Sequence, residues 1–86
     1  MNAEDYLPEL EELAGEMGMR IRYEKGDFDG GYCILKDQQI IVVNKKLHPS
    51  RKASVIALAL GETGIDNVFV KPNVRMFIED EMVRQR

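Results

Sequence analysis

Apolar positions at the start of the chain recur every three or four residues. Together they make one stripe: Leu7, Leu10, Leu13, Ala14 and Met17. This spacing predicts an amphipathic helix whose stripe packs on a core. Asn2 or Asp5 can cap the helix, and Pro8 suits its first turn, where backbone donors are unpaired anyway. Gly18 then supplies a stop, because glycine takes the left-handed conformation without penalty.

Three segments that follow have the pattern of β-strands. Residues 20–24 alternate polar and apolar, with Ile21 and Tyr23 on the covered face. Residues 31–35 and 39–44 are apolar runs separated by a short polar turn, which predicts a β-hairpin.

A two-residue turn at Asp37-Gln38 would fix which side chains of the hairpin share a face. One face then carries Tyr32, Ile34, Ile41 and Val43, and the other carries Cys33, Leu35, Ile40 and Val42. Because both faces are apolar, either helices cover both sides of the sheet or a second molecule covers one of them. We expect the face with Tyr32 and Ile41 to be an interface, so that Ile41→Lys dissociates an assembly into folded monomers.

The second half of the chain predicts two more helices. Residues 53–60 are apolar nearly all round, which is typical of a buried central helix, and Ser50 is its candidate cap. Residues 67–70 read as a short strand, and Pro72 starts a final helix. Its inward residues are Val74, Phe77, Ile78 and Met82, with Arg84 and Arg86 at its negative end. The order predicts one α+β domain over residues 1–86, with a small, mostly antiparallel sheet on the central helix.

At 86 residues, of which 44% are apolar and 31% charged, the chain has room for one modest core. No apolar run approaches the roughly 18 residues of a membrane span, and the first residues lack the features of a secretory signal. The single cysteine cannot form a disulfide within the chain. These features predict a cytoplasmic protein without a membrane partner.

The net charge of −3 is unevenly distributed, with only acidic charged side chains from Glu4 to Glu16. A basic segment follows the hairpin, and its candidates for contact with an anion or a nucleic acid are Lys45, Lys46, Arg51 and Lys52. No aromatic residue interleaves these side chains to stack on bases, which argues against nucleic-acid binding.

The stretch "GGYCILKDQQIIVVNKKLHPSRKASVIALALGE" resembles the core of the ImmA/IrrE-type metallopeptidases. In that family a hairpin and an Arg-containing segment precede a helix that commonly reads Ala-His-Glu-Leu-Gly-His. Here Ala57, Leu60 and Gly61 match that helix, while Asn44 and Arg51 precede it at suitable positions. The resemblance implies a related α+β scaffold over roughly residues 5–65.

The chain departs from the family at the metal site itself. The two zinc histidines would correspond to Leu58 and Glu62, and the catalytic glutamate to Ala59. Leucine cannot ligate zinc, and alanine cannot accept a proton from a zinc-bound water. The resemblance therefore implies a scaffold without its metal, with no catalytic or metal-binding residues and no cofactor.

Other candidates for chemistry are sparse. Cys33 and His48 could form a nucleophile–base pair, but a buried strand thiol and a helix-entrance histidine are the simpler interpretations. The acidic run at residues 79–81 is typical of a solvated helix face. An alternative class is a hydrolase that recruits metal through Glu62, His48 and these acids. We favour a non-enzymatic protein-interaction or regulatory module whose partner is an unidentified protein or a second copy.

Overall fold

The computed structural model describes residues 2–84, whose helices and strands surround one apolar core. Along the chain they are a 3₁₀ turn (Ala3–Tyr6), α1 (Leu7–Glu16), β1 (Met19–Glu24), β2 (Gly30–Leu35), β3 (Gln38–Asn44), α2 (Pro49–Thr63) and α3 (Pro72–Arg84). The predicted α+β fold class is confirmed. Arg86, predicted at the end of α3, lies outside the described residues.

The first helix begins and ends as its sequence predicts. The Asn2 backbone N–H donates to Asp5 Oδ2 at 2.9 Å, which satisfies one of the unpaired donors at the entrance. Gly18 has a φ of 79°, and this left-handed residue turns the chain from α1 into β1.

The sheet has the strand order β1-β3-β2 and is mixed. The central strand β3 runs parallel to β1 and antiparallel to β2. Residues 25–29 must therefore carry the chain across the end of β3 to reach its far side.

Asn44, the last residue of β3, holds this crossover loop in place. Its side-chain amide donates to the carbonyls of Gly26 at 3.0 Å and Phe28 at 2.8 Å. Its Oδ1 accepts from the backbone N–H of Lys46 at 3.0 Å. The buried amide thus fixes the point from which β2 starts.

The hairpin turn lies one residue earlier than the sequence predicted. Leu35 pairs with Gln38, so the turn residues are Lys36 and Asp37 instead of Asp37 and Gln38. Both have positive φ, 50° and 70°, as a type I′ turn requires. Each β2 residue therefore pairs two positions away from its expected partner. The composition of the two faces is as predicted, because side chains alternate with a period of two.

The helices cover only one face of the sheet, which we call the inner face. α1 contacts β1, and α2 contacts both strands of the hairpin. Ile41 and Val43 lie on this face and belong to the core. The other face, the outer face, carries Arg20, Cys33 and Ile40, and no helix of the described residues packs on it.

The predicted central helix is confirmed as α2, whose buried residues are Ala53, Ile56, Ala57, Ala59 and Leu60. Its cap differs from the prediction, because His48 Nδ1 accepts the Ser50 N–H at 3.1 Å. None of the helices within residues 2–84 has the length and apolar character that a bilayer span requires.

The predicted strand at residues 67–70 is wrong. This segment is an irregular connection that pairs with none of the described strands. Val68 and Val70 pack against the core, whereas Phe69 between them is 81% exposed. Burial thus alternates along this segment because a loop directs every second side chain into the core, without the hydrogen-bonded ladder of a strand.

Candidate functional site

A cleft of about 170 Å³ lies between α2 and the start of β2. Its lining residues are Asp29, Gly30, Gly31, Arg51, Ser54, Val55, Leu58, Ala59 and Glu62. The three positions that the resemblance aligns with a zinc site, Leu58, Ala59 and Glu62, therefore share one cleft. The fold brings these positions together beside the hairpin.

The side chains in this cleft do not form a set of metal ligands. Leu58 contributes an apolar wall, and Glu62 is an exposed carboxylate. Arg51 Nη2 lies 2.9 Å from Asp29 Oδ2, so these two charges neutralise each other. Within residues 2–84, no group of three or more His, Cys, Asp or Glu side chains is arranged to hold a metal ion.

Cys33 and His48 lie in different parts of the fold. Cys33 is exposed on the outer face of β2, which also corrects the expectation of a buried thiol. His48 Nδ1 is engaged at the entrance of α2, where it lies 2.8 Å from Ser50 Oγ and 3.1 Å from the Ser50 backbone nitrogen. The structure does not bring the two side chains together as a nucleophile and its base.

The four basic candidates do not act as one free patch. Lys45 and Lys46 are exposed after β3. Arg51 is paired with Asp29, and Lys52 Nζ lies 5.3 Å from the centre of the Tyr23 ring. Such contacts hold a cation by charge and by the ring's quadrupole. Half of the predicted basic surface is thus engaged within the molecule.

The predicted interface is wrong for two of its four residues. Ile41 and Val43 are 0% exposed, because α1 and α2 cover the inner face on which they lie. Tyr32 is half-buried at the border of this core. Of the four, Ile34, at 64% exposure, is the most accessible to a partner.

The free edge of β2 is the most accessible apolar surface of the hairpin. Among the strands of residues 2–84, β2 pairs only with β3, so no described strand lies along its other side. All its residues except Tyr32 are exposed, and Ile34 and Leu35 are 64% and 52% exposed. The strand reads Gly-Gly-Tyr-Cys-Ile-Leu and carries no charge. Sequence reasoning missed this edge because strand order, not the pattern within a strand, decides which strand lies outermost.

Alternate residues of β2 direct their backbone groups toward this edge. Leu35 and Gln38 flank the two-residue turn, and in such hairpins the flanking residues bond to each other. At the far end the Asn44 N–H donates to the Asp29 carbonyl at 2.9 Å. The N–H and C=O groups of Gly30, Tyr32 and Ile34, which alternate with the bonded residues, therefore face away from β3.

The other edge of the sheet, β1, is protected by charge. Arg20, Arg22 and Glu24 alternate along it, and Arg22 Nη2 lies 2.7 Å from Glu24 Oε2. Charged side chains on an edge strand disfavour the addition of another strand. The two edges of this sheet thus differ in their readiness to pair.

The outer face of the sheet is less open than its lack of a helix suggests. Ile40 lies between Arg20 and Cys33 in the register and is only 3% exposed. The centre of this face is therefore shielded from solvent although no described helix packs on it. The surface that stays open is the rim formed by β2.

Glu81 is a buried carboxylate that the sequence did not indicate. It was expected on a solvated face with Glu79 and Asp80, but it is 2% exposed. Its Oε1 accepts from Ser54 Oγ and Arg84 Nη1, both at 3.2 Å. Its Oε2 has no partner among the described residues. Glu81 therefore ties α3 to α2 and lies outside the lining of the cleft.

A further groove of about 220 Å³ separates α1 from the segment before α3. Phe69 borders it, and Lys71 Nζ lies 3.3 Å from Glu9 Oε1 across it. Its lining is acidic on the α1 side, through Glu9, Glu12 and Glu16. The sequence predicted neither this groove nor the exposure of Phe69.

No protein family, curated protein or solved structure matches this chain. The resemblance to the ImmA/IrrE-type metallopeptidases therefore stays a prediction that rests on the quoted motif.

Proposed function

We propose that this chain is a non-enzymatic protein-interaction module that binds an extended segment of a partner along the free edge of β2. The observation that supports this function is the combination of exposure and neutrality in β2. All its residues except Tyr32 are exposed, and none of them is charged or a proline. Natural edge strands commonly carry charges, prolines or bulges that prevent such pairing, and β2 has none of them.

Strand addition would satisfy the outward backbone groups of β2. A partner strand would pair with the N–H and C=O groups of Gly30, Tyr32 and Ile34, which supply affinity without regard to sequence. The exposed side chains of Ile34 and Leu35 would then bury apolar surface against it. Main-chain bonds and these two anchors together make a small, strand-shaped binding site.

The cleft beside α2 would extend this binding site on the inner face. Val55 and Leu58 line it next to the first residues of β2. A partner side chain that points to the inner face would contact these apolar groups. At Leu58 the chain thus offers packing where a metallopeptidase helix would offer a ligand. We also propose a cytoplasmic setting, because an exposed free thiol such as Cys33 persists in a reducing compartment.

The test compares partner binding by two variants matched for exposure. Ile34 is 64% exposed on the β2 edge, and Met76 is 62% exposed on α3. Wild type, Ile34→Lys and Met76→Lys are immobilised at equal density and incubated with an extract of the source cells. We expect one set of proteins to bind wild type and Met76→Lys and to be lost from Ile34→Lys, because a lysine on the edge opposes strand pairing.

Hydrogen exchange then locates the contact on the module. A bound partner that adds a strand slows exchange of the Tyr32 and Ile34 amides, whereas the Cys33 amide already bonds to β3 and changes little. Equal binding by all three proteins, or protection confined to the helices, would contradict the proposed function.

A further inference from the structure

We propose that the strand which adds to β2 is β2 of a second copy of this chain, in an antiparallel pair centred on Cys33. This inference rests on the proposed function and names the partner for the same edge. A two-fold axis through the centre of the pair would make the contact isologous, so each copy offers the same surface to the other.

The register follows from the outward backbone groups. Gly30, Tyr32 and Ile34 carry the free N–H and C=O groups, so these residues must form the hydrogen-bonded pairs. Centring on Cys33 places Tyr32 of each copy opposite Ile34 of the other as such a pair. The two Cys33 residues then face each other as a non-hydrogen-bonded pair.

The outer face of this pair is complementary in shape. Leu35 of one copy, which is 52% exposed, lies opposite Gly31 of the other. A Cβ placed on Gly31 would meet no atom within 4 Å, so open space stands at this position. The protruding leucine of each copy therefore has a matching vacancy on the other, and both leucines become covered at once.

The inner face of the pair also covers exposed apolar surface. Ile34 is 64% exposed in the single chain, and the register places it beside Tyr32 of the second copy. Pairs of an aromatic and a β-branched residue are among the stabilising cross-strand contacts. This side of the strand adjoins the cleft with Leu58, which continues the apolar contact onto α2.

The uncharged strand is compatible with self-pairing, and packing favours this register over the one centred on Tyr32. No charged residue lies within residues 31–35, so no like charges oppose each other within the paired strands, and Asp29 and Asp37 face each other only beyond them, in the loop and the turn. Centring the pair on Tyr32 instead would place Leu35 opposite Asp29 and Cys33 opposite Gly31. That arrangement places the exposed Leu35 against a carboxylate, and Leu35 then no longer fills the open space at Gly31.

Cys33 makes the register testable by cross-linking. The Cα atoms of a non-hydrogen-bonded pair lie about 4.5 Å apart, within the range of about 4.4–6.8 Å that disulfides span. Diamide accepts the two electrons and two protons released when two thiols become one disulfide. We expect the reduced protein to be a dimer by native mass spectrometry, and diamide to convert it to a covalent dimer through Cys33.

Matched variants separate this contact from random collision. Ile34→Lys should be a folded monomer that diamide does not cross-link. Met76→Lys should remain a dimer, and diamide should cross-link it. Cys33→Ser/Met76→Cys carries its only thiol on α3 and should dimerise without cross-linking, because the two helices lie away from the shared edge.

Each contrary result has a definite meaning. A dimer that resists cross-linking at Cys33, or that survives in Ile34→Lys, would overturn the proposed pairing. A monomeric wild type would overturn the second copy as partner, while the amide protection described above would still test the edge as a binding site. A monomeric wild type whose Tyr32 and Ile34 amides also gain no protection from any partner would overturn the proposed function as well.

Discussion

Two isoleucines of the hairpin show how burial, not residue type, decides what a position does. Ile41 and Ile34 lie on the same face, yet Ile41 is 0% exposed and Ile34 is 64% exposed. The difference arises because the helices cover the centre of the inner face and not its rim. The expected result of Ile41→Lys, a folded monomer, is therefore revised, since an unpaired charge in this core would unfold the chain.

Alanine substitutions should separate these two isoleucines. We expect Ile41→Ala to lower the free energy of unfolding by about 2–5 kcal/mol, because it leaves a cavity in the core. Ile34→Ala should change it by less than about 0.5 kcal/mol, as is usual for an exposed position. Urea denaturation at low protein concentration measures both without a contribution from association. Similar losses in the two variants would contradict the assigned burial.

Tyr23 should make the stability of the fold fall in alkaline solution. Burial, and then a hydrogen bond and the charge of Glu11, raise the pKa of its phenol above the ordinary value near 10. The folded chain thus keeps this proton at a pH where the unfolded chain releases it. The contribution is fully present below pH 10 or so and declines as the pH rises further.

Removal of the phenol tests this pH dependence. Urea denaturation across the alkaline range should show a shallower decline in stability for Tyr23→Phe than for wild type. Glu11→Gln should also reduce the slope, because an amide lacks the charge that holds the proton in place. An unchanged slope in both variants would contradict the role assigned to this pair.

At the scale of elements, the hairpin turn places two residues with a Cβ in the left-handed backbone conformation, which is unfavourable for them. Lys36 and Asp37 have positive φ angles, which cost a residue with a Cβ roughly 1–2 kcal/mol relative to glycine. Type I′ turns favour glycine at the second of these positions. The sequence signal for this turn is weak, because neither residue is a glycine or an asparagine.

Asp37→Gly should therefore stabilise the chain by about 1 kcal/mol. The urea midpoint should rise while its dependence on urea concentration stays the same. Asp27→Gly provides the control, since Asp27 lies in the crossover loop and is not among the residues with positive φ. An equal gain in the control would show that the effect does not come from the turn.

Local patterns in the sequence predicted the helices and the hairpin but not their arrangement. The stripe of α1 and the apolar run of α2 identify buried faces, because helical periodicity is a local property. The parallel pairing of β1 with β3 depends on a crossover loop held by Asn44, and no periodicity reports such a distant contact. The sequence named Tyr32 and Ile34 as interface residues but not the edge to which they belong, since the position of β2 in the sheet follows from strand order.

At the scale of the whole molecule, residues 2–84 form one core with their helices on a single side of the sheet. The core joins residues from both terminal helices, the hairpin and α2. On the other side of the sheet the central Ile40 is only 3% exposed, whereas the rim at β2 is open.

The alternating charges of β1 determine how far such an assembly can grow. Pairing through β2 would leave a β1 strand at each end of the joined sheet, and Arg20, Arg22 and Glu24 make that strand a poor template. A chain with two apolar edges would add copies without limit and polymerise into filaments. Residues 2–84 present one such edge, so pairing through it would be self-terminating, and the mass should reach a plateau at the dimer however much protein is present.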